Sequence, residues 1–396
     1  VSAKTPARGG ILLVVLIAAA APAALADEAG IKLEVGVAFD DNPFLTPSEP
    51  YFDQFDEVIV EPVPSSGFFV PLTVSGDYRV GVNSRWVLDY RLRHHAYGEE
   101  QKSADETYAR VATGLEWATA RKRGRENVFF LLPYAAYRKE IFFDRDTGVG
   151  EVIGFEDASD RYTYLATGGD IGFSSRLSRT VQWELAARYE QRDYEDVPSL
   201  TTLDHQRYRV GAELSVRFHR RLKLYLDYRY QLLDYEERPS RGLDGGIAGD
   251  GPPLEYGYHL AGATFRVKPA DTWTLHFDVD YGQRIDAFQG YNDYASRGGG
   301  LRLRWGRRRT RFLLDLRHRR REYPRAFIFD KEVNPGTGLE NPKKAYDTAD
   351  ARVRIELPSF LCSRFFLEVE GRLQEAADPR YTYQRLRAGT GLEWRF

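Results

Sequence analysis

The sequence is poor in the features that usually hold or drive an exported protein. It has one cysteine, Cys362, in 396 residues. No internal disulfide can form, so a chain of this size must be held by its core or by its surroundings. Beyond residue 26 no apolar run approaches the roughly 18 residues of a membrane-spanning helix. HExxH, GxSxG and CxxC are all absent, and the seven histidines are scattered. His94 and His95 are adjacent on an alternating segment and so point to opposite faces. No catalytic residue, metal site or cofactor is expected. The net charge of −2 predicts no partner from bulk charge. With 29% charged residues, a mean hydropathy of −0.50 describes a water-soluble chain. A membrane barrel has the same average, because its apolar residues occupy only alternate positions.

The N-terminus reads VSAKTPARGGILLVVLIAAAAPAALADEAG. Lys4 and Arg8 precede an apolar run, Ile11 to Ala21, that is too short to cross a bilayer. Ala24-Leu25-Ala26 has the small-x-small pattern of a cleavage site. Residues 1–26 are therefore expected to be a secretory signal peptide, and residues 27–396 the folded domain.

What the rest of the chain has is period-2 alternation. Trp86, Leu88, Tyr90 and Leu92 alternate with Asp89, Arg91 and Arg93. Leu222, Leu224, Leu226, Tyr228 and Tyr230 oppose Lys223, Asp227 and Arg229. About sixteen such segments follow one another, within a range of about 14 to 18, and an even number suits a closed antiparallel barrel. Many run to about 10–14 residues, against about 5–6 for soluble strands. A tilted strand needs roughly 9–11 residues to cross hydrocarbon.

The connections also alternate. Short basic ones include Asn83-Ser84-Arg85, RKRGR at 121–125, RLSRT at 176–180 and GRRR at 306–309. Long polar ones include 40–67, 140–161, 236–254 and 322–345. The 40–67 loop is long enough to fold inward, where its carboxylates would meet inner arginines. Short turns at one rim and long loops at the other are expected of a transmembrane barrel, with the long loops extracellular. Trp86, Trp117, Trp183, Trp273, Trp305 and Trp394 all fall beside the short turns or the C-terminus. Tyr97, Tyr108, Tyr162, Tyr194, Tyr235, Tyr256, Tyr291, Tyr294, Tyr323, Tyr346 and Tyr381 fall near the long loops. The two sets are expected to form aromatic girdles at the two membrane interfaces. Tyr225 does not fit this sorting.

The chain ends GLEWRF, with Gly391, Trp394 and the terminal Phe396. This ending resembles the C-terminal signal of bacterial outer-membrane β-barrels. The resemblance implies that the barrel assembly machinery reads this segment. The stretch AFDDNPFLTPSEP and the tyrosine–arginine strands are similar to β-barrel porins encoded with exopolysaccharide systems. The implied place is the outer membrane of a Gram-negative bacterium, in contact with lipid and lipopolysaccharide.

With the apolar face outward, the other face lines a lumen. Its expected cations are Arg91, Arg93, Arg188, Arg209, Arg229, Arg302, Arg304, Arg317, Arg352, Arg354, Arg385 and Arg387. Asp89, Glu184, Glu213, Asp227, Asp278 and Glu368 are expected among them. Arginine in excess favours anions, so the expected activity is diffusion of small polar or anionic solutes through a water-filled pore. A ladder of arginine–carboxylate pairs that only braces the wall is the bland alternative. Two further alternatives are a barrel exporting an anionic polysaccharide with periplasmic partners, and a plugged structural or surface-binding barrel. A homotrimer is compatible with the pattern. Nucleic acid is not an expected partner, because the basic turns are spread around a rim.

Overall fold

The computed structural model describes residues 28–53, 58–119, 126–142, 152–153, 156–197, 200–307, 310–328, 340–359 and 363–396. The signal-peptide segment, the RKRGR turn and Cys362 lie outside the described residues. Sixteen long strands close into one antiparallel barrel. In chain order they are β1 (Glu28–Asp40), β2 (Gly67–Val80), β3 (Ser84–Tyr97), β4 (Glu106–Ala118), β5 (Glu126–Glu140) and β6 (Tyr164–Arg176). Then come β7 (Val181–Tyr194), β8 (His205–His219), β9 (Leu222–Pro239), β10 (Pro253–Val267) and β11 (Trp273–Asp286). The last five are β12 (Tyr294–Arg307), β13 (Thr310–Phe327), β14 (Lys343–Pro358), β15 (Ser363–Ala376) and β16 (Tyr383–Arg395). Each strand pairs with its sequence neighbours, and β16 pairs with β1 from Lys32↔Arg395 to Asp40↔Arg387. Closure leaves no exposed sheet edge.

Strands run from 13 to 18 residues, longer than alternation alone suggested. β9 and β13, at 18 residues, continue past the membrane-sized part into the long-loop rim. Among the described residues no helix is long and apolar enough to cross a membrane. Two short 3-10 turns, Glu99–Ala104 and Pro379–Tyr381, sit at the long-loop end. Both strand termini of the barrel lie at the short-turn end, because the strand number is even.

Side-chain parity divides the wall cleanly. One parity carries exposed apolar groups such as Leu131, Ile171, Leu185, Val210, Phe277, Val279, Leu367 and Val369. The other parity carries most of the ion pairs, so it faces inward; His318–Asp347 and Arg320–Glu322, toward the long-loop end of β13 and β14, lie on the outer face. The inward residues cross-link strands that are not adjacent: Arg354 on β14 reaches Glu34 on β1, and Arg110 on β4 reaches Asp170 on β6. On β2–β4 the outward positions Tyr78, Tyr90, Leu92 and Ala109 pack together and are buried.

The first long loop stays beside the closing strands where it is described. Asp41 N–H donates to Leu386 O (3.1 Å), and Ser48 N–H donates to Thr382 O (2.9 Å). Asn42 Nδ2 donates to Thr46 O and to Gln384 O, both at 2.9 Å. These bonds satisfy backbone groups that β16 would otherwise leave open beyond β1.

Candidate functional site

The candidate site is the charged inner wall. Asp89, Arg91 and Arg93 stand on the inner face of β3. Glu184 and Arg188 do so on β7, Arg209 and Glu213 on β8, and Asp227 and Arg229 on β9. Asp278 is on β11, Arg302 and Arg304 on β12, Arg317 on β13, and Arg352 and Arg354 on β14. Glu368 stands on β15 and Arg385 and Arg387 on β16. Five of them, Arg302, Arg317, Arg352, Arg385 and Arg387, line one recess of about 340 Å³ together with Arg372, Asp315, Asp350 and Glu370.

The recurring unit is one carboxylate shared by two cations. Glu106 meets Arg93 (2.7 Å) and Arg138 (3.4 Å). Asp170 accepts from Arg188, with a second bond at 2.8 Å, and from Arg110 at 3.1 Å. Asp280 meets Arg317 (3.0 Å) and Arg319 (3.3 Å). Glu368 meets Arg352 (2.6 Å) and Arg354 (3.1 Å). Asp40 is fully enclosed; it accepts from Arg385 and from Arg387 (2.8 Å), and Tyr97 Oη donates to it at 2.7 Å. A carboxylate between two guanidinium groups fixes both geometrically and neutralises one charge. Around Asp40 and Asp280 the second charge remains and acts on whatever enters the lumen. In the other units it is met by a further carboxylate: Glu140 on Arg138, Asp89 on Arg110, Glu370 on Arg352 and Glu34 on Arg354.

Other predicted residues stay outside these pairs. Arg91, Arg229 and Arg304 meet no carboxylate among the described residues, and Arg209 bonds only Gln231 (2.9 Å). Glu184, Glu213 and Asp227 have no cation partner there either; they form a row in direct register across three strands. So the wall is neither wholly bracing nor wholly free.

Alternation missed several inner charges, among them Asp40, Arg110, Asp170, Arg284, Arg319 and Arg321. Asp40 and Arg284 sit near strand ends, where loop and strand look alike in sequence, whereas Asp170 lies between glycines and Arg319 and Arg321 within an unbroken polar run, where alternation is not visible. The tyrosines need a correction. Tyr97, Tyr108, Tyr194, Tyr235, Tyr256, Tyr294, Tyr323 and Tyr346 do not form an outer girdle; they face the lumen. Ring contacts run from Tyr164 to Tyr194 (5.0 Å), His205 (5.7 Å) and Tyr235 (4.9 Å). They continue through Tyr256, Tyr258, Tyr294 and Tyr323 to Tyr346. Arg284 lies 4.4 Å over Tyr256 and 4.7 Å over Tyr294, and Arg192 4.5 Å over Tyr164. The result is an aromatic–arginine collar inside the long-loop mouth. The outward tyrosines at that end are a different set: Tyr189, Tyr208, Tyr228, Tyr230 and Tyr281, all exposed. Parity separates the sets, since Tyr256 shares a face with Arg266, whereas Tyr230 shares one with Leu226.

Trp86, Trp117, Trp183, Trp273 and Trp305 all carry outward parity near the short turns, with Trp273 and Trp305 in ring contact at 6.1 Å. At the C-terminus Gly391 faces inward while Trp394 and Phe396 face outward. Phe396 also closes the barrel through its backbone: its N–H donates to Ile31 O (2.9 Å), and its O accepts from Ile31 N–H (3.1 Å). Among the described residues no cluster of His, Cys, Asp and Glu is set to hold a metal ion.

No protein-family model matches the chain, and a search of the curated proteins finds no match. Among solved structures it is similar to a bacterial polysaccharide outer membrane secretin, at 9% identity and TM-score 0.44 over 92% of this chain and 98% of that one. It is similar to the outer membrane protein OprD from Pseudomonas aeruginosa, at 10% identity and TM-score 0.46 over 94% of each chain. OccAB3 of Acinetobacter baumannii is similar at 9% identity and TM-score 0.43, over 93% and 100% of the two chains. Likeness this distant carries no argument about what the chain does.

Proposed function

We propose that the chain is an outer-membrane channel of a Gram-negative bacterium, through which small polar solutes diffuse with a preference for anions. The observation that carries the preference is the excess of cations on the inner face. Among the described residues Asp40 and Asp280 each serve two arginines that meet no other carboxylate, and Arg91, Arg229 and Arg304 meet none. The whole chain carries −2, yet on the inner face arginine and lysine outnumber aspartate and glutamate. Negative charge is displaced to the long loops.

Membrane insertion follows from the wall. Its outward residues are apolar over the middle of each strand, with tryptophan at one end and tyrosine at the other, as two water–lipid interfaces require. Sixteen strands leave an aqueous channel rather than a packed interior. So many ionised groups inside need water, because unpaired charge in a dry interior is costly. Trp86, Trp117, Trp183, Trp273 and Trp305 then form the periplasmic girdle. Gly391, Trp394 and Phe396 form the segment that the assembly machinery reads.

Vesicles containing the refolded chain test the channel. They should swell in an isotonic solution of a small sugar, and faster in a salt of a small organic anion than in one of a size-matched organic cation. A folded barrel that leaves vesicles tight would replace the channel with a plugged surface protein. Equal rates for both salts would reduce the arginines to wall bracing.

A further inference from the structure

At the short-turn mouth the inner wall is electrostatically uneven. On the side of β14 to β16 and β1 to β4 the inward cations at this mouth meet carboxylates. Lys32 meets Glu34 (2.8 Å) and Glu393 (3.1 Å), and Arg395 meets Glu393 (2.6 Å). Arg79 meets Asp77 (3.3 Å), Arg85 meets Glu116 (3.4 Å), and Arg364 meets Glu356 (3.2 Å). On the other side, the corresponding inward positions of β8 to β10 hold Arg217, Lys223 and Arg266. They are directly opposite one another: Arg217↔Lys223 and Lys223↔Arg266. The row continues through His276 to Arg302, with Arg304 one position nearer the mouth. Among the described residues Arg217, Lys223, Arg266 and Arg304 form no ion pair.

Like charges placed directly across a sheet repel, and this row repeats that arrangement on successive strands. The wall above forms no ion pair with the row. On β8 to β10 the next inward tier is neutral, with Ser215, Tyr225 and Thr264 in register, and on β11 its carboxylate, Asp278, accepts from Thr264 (2.6 Å). The carboxylates Glu213 and Asp227 stand one tier further, four residues along each strand from Arg217 and Lys223. At about 3.4 Å per residue that is roughly 13 Å, beyond reach of an ion pair. Tyr225, which the aromatic sorting left unexplained, sits at this boundary. The Lys223 ammonium lies 4.1 Å over its ring.

We propose that Arg217, Lys223 and Arg266, flanked by Arg304, form a binding site for a multivalent oxyanion: a solute carrying carboxylate or phosphate groups in series. The proposal rests on the channel reading for its biological sense. Neighbouring strands are about 4.8 Å apart, so the cations present a line of positive points at that spacing. A single chloride relieves one contact in the row. Linked oxyanions relieve several at once, and the guanidinium forks of Arg217 and Arg266 suit carboxylate and phosphate oxygens. The carboxylate row deeper in the wall repels the same solute, which makes the mouth a capture point on this side of the lumen. The arginine recess between β12 and β16 offers the path onward.

The test uses the refolded full chain in planar bilayers, with chloride current as the readout and tripolyphosphate or citrate added at constant ionic strength. Both anions should block the current. The triple variant Arg217→Gln, Lys223→Gln, Arg266→Gln should need on the order of tenfold more of either for the same block. Arg320→Gln, on the outer face, should block like wild type. Block by tripolyphosphate alone would narrow the ligand to phosphate. Unchanged block in the triple variant would overturn the site. Removing mutually repelling charges favours folding, and Lys223→Gln alone gives a second, milder variant. If the bilayer stays silent, the channel reading fails, and the melting temperature of the folded barrel decides the site. Tripolyphosphate should raise it for wild type more than for the triple variant; equal shifts would overturn the site.

Discussion

Arg354 keeps 7% of its side chain exposed and faces four carboxylates: Glu34, Glu356, Glu368 and Glu393, at 3.1 to 3.2 Å. It also covers the Phe366 ring at 4.0 Å. One guanidinium therefore joins β14, β15, β16 and β1, the strands around the closing seam. Arg354→Met leaves enclosed carboxylates facing each other, so it should destabilise the barrel by about 3–5 kcal/mol. Urea unfolding in lipid measures this, and a loss below about 1 kcal/mol would show that the cluster is well hydrated. Two neighbours on β11 test the direction of the faces. Val279→Arg puts a charge on the apolar exterior and should cost roughly 2–4 kcal/mol. Asp278→Asn, one residue away and inward, should cost under about 1 kcal/mol, since it alters a single hydrogen bond from Thr264. Equal costs would contradict the assignment of faces. At this scale alternation reads well in strand centres, where Arg91, Arg229 and Arg352 are separated from Leu92, Tyr228 and Val353. It reads poorly at strand ends. A tyrosine there suits a lipid interface or a wet lumen equally, and only counting parity from the strand centre tells Tyr256 from Tyr230.

Among the elements, the collar and the closing pair matter most. The collar ties the loop ends of β6 to β14 through rings that touch across strands, each contact worth about 0.5–1.5 kcal/mol beyond its buried area. Arg284 fills the space between Tyr256, Tyr294 and Tyr323 and donates to Asn292 O (2.8 Å), which anchors the β11–β12 loop. Tyr294→Ala combined with Tyr323→Ala should therefore speed protease clipping in that loop several-fold. Tyr228→Ala, on the outer face, should leave the clipping pattern as it is; similar clipping in both would show that the collar does not hold the loop. The closing pair is β1 with β16. Deleting Phe396 removes two backbone bonds to Ile31 and should cost roughly 2 kcal/mol, while Phe396→Ala keeps both bonds. Unfolding measurements on the two variants separate the backbone part from the ring, and no loss on deletion would contradict the closure role. The order and spacing of the strands were legible because each short basic turn interrupts the alternation. The extent of β9 and β13 was not, because their last residues rejoin the ladder only past an irregularity, at Pro239↔Pro253 and Phe327↔Lys343, and lack the apolar face that marks a membrane span.

For the molecule as a whole, charge placement matters more than charge total. A net −2 hides an inner wall rich in arginine and long loops rich in carboxylate. The even strand number, the apolar exterior and the charged interior could be read from periodicity, since a two-residue repeat keeps each face uniform. Which inner charges cancel could not be read, because cancellation depends on pairing between strands far apart in the chain, such as Glu34 with Arg354. The proposed anion preference rests on the cations of the inner face that such pairing leaves over, among them Arg91, Arg229 and Arg304. The measurement to make is the reversal potential of single channels under a potassium chloride gradient. A potential on the chloride side is the predicted result. A potential on the potassium side would contradict the account, because the inner-face cations would then not outweigh the carboxylates beside them.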